Sequence, residues 1–480
     1  MDRIQASVPI KIMPHPLLKI YSANYYGWFN KGDAALVMAH VDALKRNLPD
    51  AEIVLASDTP EVDASRYNLK VVAPVYIPWR GISFKSLRRR FMKHIGWRLP
   101  SALQPTGSSR LWIWLSMTTL SWTHTLELGI KLVQLWWRVR VLKKSPVDCF
   151  TGSARESVKE LLDATAVIFV PGGYLMSFKP NETSWYMRIF PIFLAKLAKI
   201  PVILAPMSIG PFIGLRNRVI AKQGLRMVDK TYLRERSSLR TLKKLNICDE
   251  RIAISADAAF ALLPRPLSVE ESEPLHQVEA RKGFKVGVSA RNYDFPASNN
   301  PAERRAKYVK DMAFFLDYII KNHAASIWIM PQVTLPGRDD DLIISRQIIK
   351  EMTHTGSVTL IEENDLSPPQ LQRLYQSMNV FVGVRMHANI FALSRNIPTL
   401  AIAYQKKTQG IMESLDLSDW VIDIYDLTRE ELIKKFEKLM QRRFEVSQSL
   451  PDRIKKKRDI VDSTYVDIAS LVRGANDSIN

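Results

Sequence analysis

Short apolar, β-branched runs alternate with helix-patterned segments along most of this chain, and that alternation admits few folds. A run that is apolar at nearly every position needs both faces covered, as in a parallel sheet packed between helices. The first series of such runs lies at 18–22, 53–57, 166–170 and 202–205, with a helix expected over 34–48. A second series lies at 285–289, 326–330, 358–361, 380–382, 399–403 and 420–424. Between them the chain is polar and acid-rich, preceded by Pro264 and Pro266 and interrupted by Pro274, which reads as a linker over 269–283. A length of 480 residues exceeds what one hydrophobic core usually serves, and 46% hydrophobic with 24% charged residues can fill two. The expectation is α/β: two doubly wound domains, 1–268 and 284–445, the first carrying an insertion at 79–148, followed by a basic tail over 446–480. Thr428 with Glu431 forms a capping box, and Leu432, Ile433, Phe436, Leu439, Met440 and Phe444 make a helical stripe that reads as structural. The run Lys455, Lys456, Lys457, Arg458 reads as a solvated face.

Net charge is +20, and its location matters more than its size. Residues 79–144 hold 13 lysines or arginines against one acid, Glu127, together with seven of the eleven tryptophans. Basic residues mixed with tryptophan suit the boundary between lipid headgroups and acyl chains. The most apolar run, 111–122, falls short of the roughly 20 residues that span a bilayer, so the insertion is expected to lie on an anionic membrane surface. The alternative is that its tryptophans pack on the protein's own core. Nucleic acid is not expected as a partner, because no recognition motif accompanies the charge. Cys149 and Cys248 make neither a disulfide framework nor a zinc pattern, which fits a reducing cytoplasm and implies no metal. Pro9, Pro14 and Pro16 break what would be the apolar core of a secretory signal, so no export is expected.

In an open α/β sheet the loops leaving the carboxyl ends of strands meet at a crevice, so polar residues just after expected strands come first as candidates. After the first strand, Asn30, Lys31, Gly32 and Asp33 open a helix, where free N–H groups and the positive dipole end can hold an anion; Asp33 could equally be an N-cap. Gly172 with Gly173, and Gly210 before Pro211, look like crevice loops, or simply turns. Arg234 stands at the end of a short β-like start, and a guanidinium fork suits a carboxylate or phosphate. Arg385 and His387 leave a buried strand together, a cation beside an imidazole that titrates near neutrality. No dinucleotide fingerprint and no phosphate-cradling loop ending in Gly-Lys-Ser/Thr is present.

Taken in order, these segments resemble the polysaccharide pyruvyltransferase family. The resemblance rests on Asn30-Lys31-Gly32-Asp33, Gly172-Gly173, Ser208 to Pro211 and Arg234-Glu235 with Ser238. It continues through Asp257 to Phe260, Val286 to Ser289 with Arg291, Pro331-Gln332, and Arg385-Met386-His387 with Tyr404, Lys407 and Gly410. Pro171 stands where the family more often has a third glycine. The resemblance implies two Rossmann-like domains in the GT-B arrangement of glycosyltransferases, with phosphoenolpyruvate as co-substrate and no further cofactor. It implies donor contacts from Arg234, Arg385, Lys407, Gly172, Gly173 and Gly210, acceptor contacts from Asn30 and Lys31, and acid–base work by His387 with Asp33 or Asp257 as base. The acceptor would be a polysaccharide precursor, lipid-linked if the insertion meets the cytoplasmic face of a membrane. Two other functions fit the same architecture: a glycosyltransferase using a nucleotide sugar, and a non-catalytic membrane-docked scaffold.

Overall fold

The computed structural model describes residues 18–75, 126, 129–182, 184–247, 249–334, 339–362 and 365–477. Most of the tryptophan-rich insertion, including 111–122, lies outside the described residues.

Two parallel sheets form where the alternating runs place them. The first contains β1 (Lys19–Tyr25), β2 (Glu52–Ser57), β3 (Lys70–Val72), β4 (Ala166–Phe169), β5 (Gly172–Ser177), β6 (Val202–Phe212), β7 (Lys230–Leu233) and β8 (Ile252–Ile254). Their order is β3-β2-β1-β4-β6-β7-β8, and β5 pairs with β6 beyond the point where β4 ends. The second contains β9 (Lys285–Ser289), β10 (Ser326–Ile329), β11 (Val358–Leu360), β12 (Val380–Gly383), β13 (Thr399–Ala403) and β14 (Val421–Asp423), in the order β11-β10-β9-β12-β13-β14. Numbered within its own domain, the second order is 3-2-1-4-5-6, the doubly wound arrangement of a dinucleotide-binding domain. In each sheet the winding reverses at one place, between β1 and β4 and between β9 and β12. Strand burial explains the uniform hydrophobicity: Ile20 packs into one core cluster and its neighbour Tyr21 into another, on the opposite face of β1.

Three expectations need correction. The segment taken as a linker is largely the helix Val269–Ala280, because Leu275 and Val278, three residues apart, share a buried face. The expected basic tail is the second half of one 49-residue helix, Arg429–Asp477. Val446, Leu450, Ile454, Val461, Tyr465, Ile468 and Val472 recur every three, four or seven residues and bury one stripe. Its start packs on the second domain, where Glu437 accepts from His323 and Tyr318. Its end packs on the first, where Tyr465 meets His40 at 2.7 Å, Thr464 meets Ser255 at 2.7 Å and Asp462 pairs with Arg46. The glycine segments after β4 and within 209–211 are not loops either. Gly172 begins β5 through pairing with Met207, and Gly210 lies inside β6, which runs on because β5 and β7 both flank it.

Candidate active site

The two winding reversals face each other across a cleft of about 290 Å³. Its wall contains Tyr26, Asn30 and Asp33 from the β1 loop, Gly173 from β5, Arg234 after β7, Gln332 and Val333 after β10, Arg385, Met386 and His387 after β12, and Tyr404 and Lys407 after β13. Three helices start at this cleft: Lys31–Asn47, Met386–Leu393 and Lys406–Glu413. Asn30 caps the first, its side chain accepting from the N–H groups of Gly32 and Asp33. The other two begin without a side-chain cap, which leaves their first N–H groups available to an anion.

The halves are stitched by backbone. The Lys31 N–H donates to the Gln332 carbonyl at 3.0 Å, the Thr334 N–H donates to the Phe29 carbonyl at 3.2 Å, and Asn30 and Val333 form an isolated antiparallel bridge. This brings Gly32 directly under His387: a Cβ on Gly32 would fall 2.1 Å from the His387 Nδ1.

Carboxylates compensate the two arginines read as donor ligands. Arg385, 7% exposed, donates to both oxygens of Asp341 and both oxygens of Asp339. Arg234 donates to Asp257 at 2.8 Å and to Ser208 at 2.7 Å, with Glu235 3.4 Å away. Gly173 allows this close packing, since a Cβ there would meet the Arg234 guanidinium at 3.2 Å. Lys407 is different: it lines the cleft, and among the described residues no salt bridge holds it, although its charge acts on Asp33. Arg291 lies over the Tyr404 ring at 4.0 Å and 3.7 Å from Asp339.

Burial sets the protonation states. It pushes the His387 imidazole down to about 4; Asp257, 3.8 Å from Nε2, opposes this, and Arg234, Lys407 and Arg385 reinforce it. His387 is therefore neutral near pH 7, with a buried Nε2 that has no hydrogen-bond partner. Burial also raises the Asp33 carboxyl above the usual range, against the pull of Lys407 and Arg234. For Tyr404 burial acts upward, but Lys407, Arg291 and Arg385 together outweigh it and leave the phenol below its ordinary value. Among the described residues no group of His, Cys, Asp or Glu is arranged to hold a metal ion.

Of the residues singled out from sequence, Asn30, Asp33, Gly173, Arg234, Arg385, His387 and Lys407 meet at the cleft. Asp257 is fully buried behind it, capping the turn Ala258–Ala261 and holding Arg234. Lys31 turns away: its amine lies 4.6 Å from the Trp28 ring, and burial pushes it down to about 7. Gly172 and Gly210 also lie outside the lining, the latter at φ +77° where a Cβ would strike Thr241. Sequence reading missed Tyr26, Asp339 and Asp341 as site residues, and named Tyr404 in a motif without giving it a role. The acid run Asp339-Asp340-Asp341 was visible, but nothing local marked it as the partner of an arginine 44 residues away.

Comparison with known proteins places these observations in a family context. Residues 30–406 match the family model for polysaccharide pyruvyl transferase. The chain is 24% identical over 284 residues to the amylovoran biosynthesis protein AmsJ of Erwinia amylovora, covering 58% of this chain and 67% of that protein. Among solved structures, a Listeria monocytogenes protein described as a UDP-N-acetylglucosamine 2-epimerase superposes with a TM-score of 0.52 at 10% identity, covering 94% of each chain. That likeness is one of fold, and it supports a GT-B-like pairing of Rossmann domains.

Proposed function

The chain belongs to the polysaccharide pyruvyl transferase family and transfers pyruvyl groups to polysaccharide; we propose that its donor is phosphoenolpyruvate, that a sugar hydroxyl pair receives the group as a ketal, and that phosphate leaves. The observation that carries this reading is the meeting of two uncapped helix starts, Lys407, Asp33 and His387 in one cleft. Helix starts and an ammonium suit the phosphate and carboxylate of a small dianionic enol ester. Asp339 occupies part of the Arg385 fork, at 2.6 Å and 3.3 Å, and is 38% exposed, so a donor carboxylate could take its place.

In the proposed reaction Asp33, whose carboxyl burial raises above the usual range, gives a proton to the methylene carbon of the enol ester. The cationic centre that develops at the neighbouring carbon is attacked by a sugar hydroxyl, whose proton passes to the neutral His387. The carbon–oxygen bond to phosphate then breaks and phosphate leaves, the second hydroxyl attacks the same carbon and closes the ketal, and its proton returns to the Asp33 carboxylate, while the imidazolium gives up its proton to the departing phosphate. Asp257 keeps Arg234 in place and stabilises the imidazolium from 3.8 Å.

The test is phosphate release from phosphoenolpyruvate with acceptor polysaccharide, read with a product mass gain for ketal pyruvate. His387→Ala should lower the rate by a factor of 10² or more with the fold retained, the scale of a lost general base. In the wild type, kcat/KM should hold as pH falls and drop through about 4, where the imidazole protonates. Near-normal phosphate release by His387→Ala removes the histidine from the chemistry. Binding of a nucleotide sugar with no response to phosphoenolpyruvate moves the assignment to glycosyl transfer.

A membrane-facing acceptor fits one described part of the insertion. Leu126, Ile130, Val133, Trp137 and Val141 are exposed at helical spacing, while Leu132, Leu135 and Val139 pack on the first domain. Arg140, Lys143 and Lys144 lie beside this apolar stripe. Among the described residues no helix is long and apolar enough to cross a membrane. The proposed contact is therefore with the surface of an anionic bilayer carrying a lipid-linked acceptor. Replacing Trp136 and Trp137 by serine should reduce sedimentation with phosphatidylglycerol vesicles several-fold; unchanged sedimentation rejects this contact.

A further inference from the structure

A second cavity, of about 530 Å³, lies apart from the cleft. Pro264, Arg265, Pro266 and Leu267, the helix Val269–Ala280, the helix Pro368–Gln376 and Arg395 enclose it. Arg395 follows the helix Met386–Leu393, whose first turn carries His387. Ten residues separate it from Arg385, which at 1.5 Å per residue puts the cavity about 15 Å from the catalytic wall.

Arg395 donates to Gln372 at 2.6 Å and keeps a buried Nε without a partner. Its closest charged company is cationic. Burial lowers its pKa, and Arg373 and Arg458 lower it further. Arg458, brought here by the C-terminal helix, also has a buried Nε without a partner, and Arg373 reaches only Gln376. Among the described residues none of these three arginines pairs with a carboxylate, although Glu279 stands in the cavity wall. Gathering guanidinium groups and leaving buried donors unmet both raise the energy of the empty state. An anion with several acceptor oxygens removes both costs, and a guanidinium fork matches phosphate. Leu267, Leu275, Pro266 and Pro369 line the rest with apolar surface, and the volume falls in the usual range for small-molecule sites.

We propose that this cavity is a second anion site, which takes a small phosphorylated organic molecule through the forks of Arg373 and Arg395. It stands independently of the donor assignment, since it shares no lining residue with the cleft.

The experiment is calorimetric titration of inorganic pyrophosphate into the full chain and into Lys407→Ala, Arg373→Ala and Arg395→Gln. A tenfold or greater loss of affinity in either arginine variant, with binding retained in Lys407→Ala, supports the site. Arg373 is exposed, so its variant stays informative if Arg395→Gln does not fold. Absence of binding to the wild type, equal affinity in all four proteins, or loss confined to Lys407→Ala overturns it. Phosphate release from phosphoenolpyruvate by Arg373→Ala, measured in parallel, separates failure here from failure of the catalytic reading.

Discussion

Gly32 shows how much of this cleft depends on a missing side chain. The imidazole of His387 occupies the space a Cβ would need, with Nδ1 only 2.1 Å from where that carbon would lie. Gly32→Ala must displace the histidine or part the domains, because the opposing groups are a ring and a backbone held by the Lys31–Gln332 hydrogen bond. The expected outcome is a loss of phosphate release of about 10²-fold, the cost of a misplaced reacting group, with unchanged circular dichroism; an alanine variant within threefold of wild type rejects it. In the sequence, Gly32 could be read as a turn residue, whereas its contact lies 355 positions further on. The arginines carry the same lesson. Arg385 and Arg234 were legible as strand-end cations, but their compensation by Asp339, Asp341 and Asp257 was not. That compensation shifts attention to Lys407, a cation in the cleft that no salt bridge holds among the described residues.

At the scale of elements, the long final helix joins the domains rather than trailing from them. Its stripe was legible as far as Met440, since a capping box and regular spacing announce a helix; Phe444, read into the same stripe, is exposed instead. Beyond that the lysine-rich run at 455–458 read as a solvated face of a basic tail. What keeps the helix going is tertiary: Tyr465 inserts between the helix and the first domain, fully buried, with its hydroxyl on His40. Tyr465→Ala should therefore cost about 3–5 kcal/mol, as large aromatic truncations in cores do, read as a lower midpoint in urea unfolding. A midpoint unchanged within error means that the helix end contributes nothing to the fold. The strand β5 was missed for a related reason. Gly172 and Gly173 are poor strand formers, and only the neighbouring edge of β6 makes them one.

Across the whole molecule, two doubly wound sheets set their winding reversals face to face, and chemistry collects between them. The alternation of buried strands and helices was local information, since hydrophobic period and β-branching act within a few residues. It determined the class of fold, the number of domains and the position of most strands. It also determined which residues stand at strand ends, and so most of the cleft wall. The tertiary structure alone decided which of these charges remain unneutralised, how far burial moves His387 and Asp33, and that a second cluster of arginines surrounds a separate cavity. The physical reason is that charge pairing and desolvation depend on distances through space, between residues tens to hundreds of positions apart, and no local pattern encodes them.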